Sequence, residues 1–291
     1  MDNKINVFGG TGFIGSRFCE LYSDQVVVND RNDYKTKNNN VLYFISTIDN
    51  YNVHKDLHID VNTNLTILLN VLEDIKNKPD TVFNFISSWF VYGQNENIPF
   101  KENDLGCNPT GFYSITKRCA EQLIISFCET YGIKYRIFRL ANVLGEKDNK
   151  ISKQKNALQF LIKEIVHDRD IHLYYGGNVL RDYIYVEDVC KGIKFIIDNV
   201  DFKFKEHIFN IGVDNPININ ELVRFIYEYL KKRNLTLLTD ENYFIFTENR
   251  PYNDERYILN CNKIKNLGFN INNDWKEKII ETIEWYIIHK N

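Results

Sequence analysis

The sequence predicts an α/β protein with a doubly wound, mainly parallel sheet, because short apolar runs of strand length alternate with longer segments of helical period. The runs predicted as strands are 5–8, 26–29, 41–45, 82–86, 135–140 and 207–211. The helical patterns between them cover 13–22, 64–76, 113–131 and 186–199. Two more helical patterns, at 218–232 and 275–290, surround an irregular stretch and predict a small C-terminal lobe beside the sheet.

The length of 291 residues suits one large sheet domain with such a lobe. We expect the sheet domain to comprise residues 1–148 and 182–213. The remaining residues, 149–181 and 214–291, would form the lobe that binds the substrate.

Composition and charge exclude several classes of function. The chain has 44% hydrophobic and 26% charged residues and a net charge of −3, so no basic excess points to nucleic acid or an anionic membrane as partner. No run approaches the roughly 20 apolar residues of a membrane span, and we expect a cytoplasmic protein. The cysteines form no CxxC pair, which argues against a zinc ribbon or a dense disulfide framework, and they are Cys19, Cys107, Cys119, Cys128, Cys190 and Cys261.

A glycine-rich turn joins the first predicted strand to the first predicted helix. It reads Gly9-Gly10-Thr11-Gly12-Phe13-Ile14-Gly15 and predicts a Rossmann-type dinucleotide site, because Gly9 and Gly12 let the backbone approach a pyrophosphate and Gly15 lets helix and strand pack closely. The helix start at Phe13 and Ile14 favours the anion.

The second predicted strand leads into Asp30, the carboxylate expected on the adenosine ribose hydroxyls. Asp30 favours NAD because a carboxylate repels a 2′-phosphate. Arg31, next to it, could pair with that phosphate, so NADP stays open.

Serine, tyrosine and lysine residues suggest the chemistry. Ser88 follows a buried strand, and Tyr113 and Lys117 lie four apart on one face of a predicted helix. Hydride transfer at an alcohol or ketone carbon needs a proton donor or acceptor on the oxygen, and a phenol with a pKa of about 10 needs help from a nearby positive charge. Lys117 would supply that charge, and Ser88 would hydrogen-bond the substrate oxygen.

These motifs resemble those of the extended short-chain dehydrogenases/reductases, in the group of nucleoside-diphosphate (NDP) sugar epimerases, dehydratases and reductases. The resemblance covers nearly the whole chain, and the remaining segments that carry it are Tyr92-Gly93, 139–145, 181–188, 209–212 and 249–251.

The resemblance implies a role for each site residue. Tyr113 would be the general acid/base, Lys117 would hold the nicotinamide ribose, and Ser88 would align the sugar oxygen. Asn142, Arg181 and Arg250 would lie where the NDP sugar binds, and two guanidinium groups can clamp a diphosphate. The family also implies a homodimer packed through the helices at 64–76 and 113–131. No metal is expected.

Two positions depart from family patterns. Family 4,6-dehydratases carry an acidic pair directly after the catalytic hydroxyl residue, where this chain has Trp89 and Phe90. Neither side chain can transfer a proton, so both are expected to contact substrate without supporting dehydration. Combined epimerase-reductases place a cysteine at the first of these positions. Because this chain has Trp89 there, that activity is not expected. Cys107, six residues before Tyr113, is interpreted as a loop residue.

A third departure is the short link after Asp30. Relatives usually spend thirty or more residues there on a helix, a further strand and a turn that touches adenine, whereas this chain has only 31–40 before the next strand. Ten extended residues reach roughly 33 Å, enough to return along the sheet, so the sequence predicts a sheet without its edge strand.

The predicted activity is NAD(P)-dependent oxidoreduction at C4 of an NDP sugar. The short link should weaken cofactor retention, which favours a reductase of an NDP-4-keto-deoxyhexose in deoxysugar or surface-glycan biosynthesis, since a reductase must release its cofactor. An NDP-hexose 4-epimerase fits the serine, tyrosine and lysine equally well. A non-catalytic dinucleotide or nucleotide-sugar sensor is the remaining alternative.

Overall fold

The computed structural model describes residues 4–48, 52–93, 98–104, 106, 109–148, 157–169, 171–174, 177–178, 180–204, 206–236, 244–247, 256–271 and 274–289. The strands are β1 (Ile5–Phe8), β2 (Val26–Val28), β3 (Asn40–Tyr43), β4 (Val82–Ser88), β5 (Lys134–Leu140), β6 (Asn142–Leu144), β7 (Ile171–Tyr174), β8 (Leu180–Arg181), β9 (Tyr183–Tyr185), β10 (Ile208–Ile211), β11 (Ile217–Asn218), β12 (Phe244–Thr247) and β13 (Arg256–Tyr257). The helices are α1 (Phe13–Leu21), α2 (Ile59–Val61), α3 (Ile67–Ile75), α4 (Phe112–Tyr131), α5 (Ala157–Val166), α6 (Val186–Asn199), α7 (Ile219–Lys232), α8 (Asn262–Asn266) and α9 (Trp275–Ile288).

The main sheet is parallel throughout, with the strand order β10-β5-β4-β3-β1-β2. Its β3, β4 and β5 are mostly buried, polar residues such as Asn84 and Arg139 included, which is the pattern that a sheet covered on both faces produces. Because all these strands run the same way, their carboxyl ends meet at one edge of the sheet. The loops that carry the predicted site residues leave from that edge.

Helices cover both faces of this sheet, as the sequence predicts. On one face, Phe18 of α1 and Val189 and Ile193 of α6 pack into one apolar cluster. On the other face, Leu72 of α3 and Ile124 of α4 pack against the strands in a second cluster. The doubly wound α/β architecture is therefore confirmed.

A third apolar cluster gathers α5, α7 and α9 beside the sheet. Short strands connect this region to the main sheet: β6 pairs with β9, and β8 lies between β11 and β13. The helical patterns predicted for 218–232 and 275–290 correspond to α7 and α9, whereas α5 and α8 had no prediction.

The sheet has no strand beyond β2 in the described part of the chain, so the predicted loss of the edge strand is confirmed. Residues 29–39, all described, form an irregular link that returns from β2 to β3. β3 pairs with β1 on the side away from β2, which places the two ends of this link on either side of the first strand.

The helix predicted over 64–76 needs correction. It begins earlier, since α2 and a π-helical turn at Asn62–Thr66 lead directly into α3. Strands β7 and β12, which pair in parallel, had no prediction because short apolar runs of four residues are ambiguous in sequence.

The structure reports free thiols at Cys19, Cys119, Cys128, Cys190 and Cys261. Burial raises the pKa of Cys19 to about 11 and that of Cys128 to about 12. Among the helices in the described ranges, none is both long and apolar enough to cross a membrane.

Candidate active site

The glycine turn forms a cradle that side chains would fill. Gly9 has a positive φ of 82°, and a Cβ added there would lie 2.9 Å from the Ile45 backbone nitrogen. A Cβ at Gly15 would collide with the Gly9 carbonyl oxygen. The N–H of Gly12 donates to that same oxygen at 3.1 Å, and α1 begins at the next residue, Phe13. This tight turn at a helix start fits a dinucleotide pyrophosphate.

Asp30 and Arg31 lie beyond the end of β2 and are exposed. Because β1 and β2 are parallel neighbours, these side chains leave the sheet at the same edge as the glycine turn. This is the position that the sequence interpretation requires for a carboxylate near an adenosine ribose.

Ser88, Tyr113 and Lys117 all lie near the carboxyl end of β4, where each is linked to β4 or to the residues that directly follow it. Ser88 ends β4, and its hydroxyl oxygen accepts the Phe90 N–H at 3.4 Å. Tyr113 lies in the first turn of α4, and its ring makes an edge-on contact with Phe90 at 5.6 Å between centroids. Lys117, one turn later, donates through Nζ to the Ile86 carbonyl oxygen of β4 at 2.6 Å.

Lys117 is buried in apolar surroundings, with an exposed fraction of 2%. Its ammonium lies 4.5 Å from the centroid of the Phe85 ring. Burial lowers the pKa of Lys117 to about 7, and the negative charge of Glu121 opposes this shift. Burial therefore disfavours the charged form of Lys117, and Glu121 favours it.

A buried ionic network lies beneath these residues. Glu121, one turn after Lys117, accepts from Arg139 Nη2 at 2.7 Å and from Arg139 Nε at 3.1 Å. The Ser87 hydroxyl donates to the same carboxylate at 2.5 Å, and Arg139 Nη1 donates to the Glu102 carbonyl oxygen at 2.8 Å. Glu121 and Arg139 are both fully buried, so β5 is tied to α4 by an ion pair and β4 by the Ser87 hydrogen bond.

An aromatic wall joins Tyr113 to the residues predicted to contact the sugar. Trp89 stacks on Phe90 with centroids 3.8 Å apart, and on its other side it contacts Tyr257 at 4.2 Å. The indole Nε1 donates to Asn142 Oδ1 at 3.2 Å, and the Arg181 guanidinium lies 5.8 Å from the Tyr257 ring centroid. These contacts bring Trp89, Phe90, Asn142 and Arg181 together with Tyr113.

Some predicted residues cannot be placed. Arg250, predicted to bind the diphosphate, and Cys107, interpreted as a loop residue, lie outside the described residues. Phe13 and Ile14 are half-buried at the start of α1, where they pack against the apolar clusters.

Sequence analysis missed several residues of the site. Glu121 continues the spacing of Tyr113 and Lys117 by four residues and was detectable as a third member of that helix face. Tyr257 had no local signal. Nor did the amide of Asn64, which bridges the π-helical turn to Thr116 of α4 at 2.9 Å between Nδ2 and Oγ1.

This geometry agrees with the comparison with known families. Residues 40–212, from β3 through β10 to the following glycine, match the NAD dependent epimerase/dehydratase family, and the chain belongs to that family. The expected resemblance is thereby confirmed. The glycine turn precedes the matched range, so its assignment depends on the geometry of the turn itself.

Individual curated relatives share only modest sequence identity with this chain. An uncharacterised protein of Schizosaccharomyces pombe is 30% identical over 221 residues, which are 70% of this chain and 60% of that protein. The chain spans between 29% and 60% of the length of the first curated relatives that it matches.

Solved structures share the fold over nearly the whole chain. The UDP-glucose 4-epimerase of Thermotoga maritima, solved with UDP-glucose, has a TM-score of 0.86 at 20% identity and covers 99% of this chain and 100% of its own. The UDP-glucose 4-epimerase of Thermus thermophilus, solved with NAD, has a TM-score of 0.79 at 19% identity and covers 97% of this chain and 98% of its own.

Proposed function

We propose that this protein is an NAD(P)-dependent oxidoreductase acting at C4 of an NDP sugar. The observation that carries the proposal is the placement of Ser88, Tyr113 and Lys117 at the same sheet edge as the glycine cradle. A dinucleotide in that cradle and a sugar against Tyr113 would share this edge.

The residues that would hold the cofactor are Gly9, Gly12, Phe13, Ile14, Gly15, Asp30, Arg31, Tyr113 and Lys117. When bound, the dinucleotide would donate or accept the hydride. Asp30 favours NAD, in keeping with the NAD found in the Thermus thermophilus enzyme. Arg31 keeps NADP as a candidate.

The chain's own residues would manage the proton. In reduction of a 4-keto sugar, the Tyr113 phenol gives its proton to the oxygen on C4 as the hydride reaches the carbon. Ser88 hydrogen-bonds that oxygen, and the Lys117 ammonium stabilises the phenolate left behind. Oxidation of the alcohol runs the same steps in reverse.

The aromatic wall argues against dehydration. Removing water across C5 and C6 requires an acid and a base, and the two residues after Ser88 are Trp89 and Phe90, whose rings stack on each other. This side of the pocket offers apolar surface, which suits a deoxygenated sugar carbon better than a hydroxyl group. Asn142, Arg181 and Arg250 are the proposed contacts of the NDP moiety.

Within this activity we favour a reductase of an NDP-4-keto-deoxyhexose. No strand lies beyond β2 in the described residues, so the adenine contacts of a longer link are absent and cofactor should exchange readily. The same site would serve an NDP-hexose 4-epimerase, and the 4-epimerase neighbours support this second candidate.

Cofactor retention separates these candidates. We would desalt the purified protein, denature it, and assay the supernatant for NAD(H). Near-stoichiometric cofactor would contradict the reductase. An empty site, with oxidation of added NAD(P)H only when an NDP-4-keto sugar is present, would support it, and no absorbance change with any sugar would favour a sensor.

The assembly and the division of the chain are also proposed. Exposed Leu69 on α3 and Ile115 on α4 lie on the helices through which we propose that two copies pack. We further propose that 1–148 and 182–213 bind the cofactor and that 149–181 and 214–291 form the sugar lobe. Light scattering of wild type and of Leu69→Glu tests the dimer.

A further inference from the structure

Two buried asparagines link β1, β2 and the short link that follows β2. Asn6, fully buried in β1, donates through Nδ2 to the Val27 carbonyl oxygen at 3.1 Å and to Asn29 Oδ1. Its Oδ1 accepts the Lys37 N–H at 2.7 Å. The amide of Asn6 therefore fastens the far part of the link back onto the first strand.

Asn29, directly after β2, fastens the near part. Its Nδ2 donates to the Asp33 carbonyl oxygen at 2.9 Å and to the Lys35 carbonyl oxygen at 2.8 Å. With Asn6 as donor to its Oδ1, the two side chains use both N–H groups and one oxygen each, so this buried amide pair is well satisfied.

The same link is tied to α3 at a third point. The Thr36 N–H and its hydroxyl both donate to Asp74 Oδ2, at 2.8 and 2.7 Å. Lys78 Nζ donates to that oxygen at 2.8 Å. The link therefore has defined partners at both ends although it has no strand beside it.

Asp30 lies directly beside these hydrogen bonds. It directly follows Asn29, is exposed, and has no flanking strand beyond β2 within the described ranges. The backbone at Asp30 is held by the Asn29 N–H bond to the Val7 carbonyl oxygen at 2.9 Å, by the Asp33 N–H bond to the Asp30 carbonyl oxygen at 3.1 Å, and by the link that the two amides fasten. A carboxylate that is held still loses less entropy when it binds a ribose than one on a loose loop.

We propose that Asn6 and Asn29 are positioning residues for the cofactor: their amide pair replaces the missing edge strand and holds Asp30 in place for the adenosine ribose of the dinucleotide. This inference rests on the proposed function. It concerns the adenosine half of the cofactor alone, so the nucleotide-sugar site should not sense it.

The test uses the full chain and calorimetric titration with ADP, with UDP as the second probe. Asn29→Ala and Asn6→Ala should each weaken ADP binding by about tenfold, since each loses three hydrogen bonds that hold the link in place. UDP binding should change by less than about twofold. Should Asn29→Ala fail to fold, Asn29→Ser carries the same test.

Asn84→Ala is the matched control. Asn84 is also fully buried in a strand and donates through Nδ2 to the Val41 carbonyl oxygen at 2.9 Å and to Asn40 Oδ1 at 2.8 Å. Both partners lie in β3, after the last residue of the link over 29–39. Asn84→Ala should lower the unfolding temperature without changing ADP affinity.

The outcomes separate the two proposals. Wild type that binds neither ADP nor NAD(H) would overturn the proposed function. If wild type binds ADP, and Asn6→Ala and Asn29→Ala bind it as tightly as Asn84→Ala does, only the positioning role would be overturned. Faster hydrogen exchange of residues 31–39 with unchanged ADP affinity would count against it in the same way.

Discussion

The two ends of the proposed cofactor groove are built from opposite materials. Around Lys117 the protein buries full charges, with Glu121 of α4 and Arg139 of β5 paired at 2.7 Å. Around Asp30 it buries neutral amides, Asn6 and Asn29, and leaves the charges of Asp30 and Arg31 exposed. The protein therefore desolvates a full ion pair near Lys117, whereas near Asp30 the Asp74 carboxylate is largely buried but its partner Lys78 stays partly exposed.

The difference follows from what each end would do. A proton-transfer site benefits from a buried ammonium, because electrostatic interactions are stronger where water is excluded. An adenosine site needs a correctly placed backbone and an accessible carboxylate, for which neutral hydrogen bonds suffice. We therefore expect substitutions near Lys117 to change rate or stability more than substitutions near Asp30 do.

The largest expected effect is that of Tyr113→Phe. Without the phenolic proton, the rate should fall by about a thousandfold or more, while NDP-sugar binding stays nearly unchanged because the ring remains. Steady-state kinetics and calorimetric titration with the sugar nucleotide measure the two quantities. Tyr131→Phe, near the other end of the same helix, is the control and should keep its rate. Near-wild-type turnover of Tyr113→Phe would refute the site assignment.

The next effect concerns the buried ion pair. Glu121→Gln should lower the free energy of unfolding by about 3–5 kcal/mol, since it leaves the Arg139 charge buried without its partner. Denaturant titration gives this value. Glu20→Gln is the control: Glu20 pairs with Lys147 at 2.9 Å on the surface, and its loss should cost less than about 1 kcal/mol. Equal losses in the two variants would mean that the buried pair contributes no more than a surface pair.

The sequence predicted the main sheet because its strands are apolar runs bounded by turns, and it predicted the Tyr113 and Lys117 pairing because a helix puts residues four apart on one face. It did not predict that Arg139, on a strand eighteen residues beyond Glu121, would reach that carboxylate. Partners of this kind depend on how strands and helices pack.

The adenosine end shows the same limit. The number of residues between the second and third predicted strands could be counted in the sequence, and it was too small for a further strand. Asn6 is a polar residue within an apolar strand, but its partners Asn29 and Lys37 lie 23 and 31 residues away. A polar residue in a strand indicates that some partner exists, and only the fold identifies it.

The third prediction is a pH dependence of stability from Lys117. Burial lowers its pKa in the folded protein from 10.5 to about 7, so between these values the unfolded chain holds more protons than the folded one. This group therefore makes the free energy of unfolding rise with pH from about 7 to 10.5, and below about 7 its stability cost is greatest. Denaturant titrations of the cofactor-free protein across that range measure the slope.

Lys117→Met isolates this contribution. The variant should lose the part of the slope that belongs to the lysine, so its stability should exceed that of wild type most clearly near pH 7. Lys134→Met, which removes an exposed lysine at the start of β5, should keep the wild-type slope. Parallel curves for wild type and Lys117→Met would show that the lysine is not destabilised by burial.

The smallest expected effect lies at the adenosine end. Burial would raise the pKa of Asp74, but hydrogen bonds from Lys78 and Thr36 outweigh it and hold the pKa well below its ordinary value. Thr36→Val removes the hydroxyl donor and should cost about 1–2 kcal/mol of unfolding free energy, as expected for a hydrogen bond to a partly buried charged group. Lys35→Ala removes a partner of Asp74 at 3.2 Å whose own side chain is 82% exposed, and should cost less than about 1 kcal/mol. Denaturant titration compares the unfolding free energies of these variants. If Thr36→Val lost as much unfolding free energy as Glu121→Gln, the contrast between the two ends would be wrong. A neutral hydrogen-bond donor would then stabilise the fold as strongly as a buried charge does.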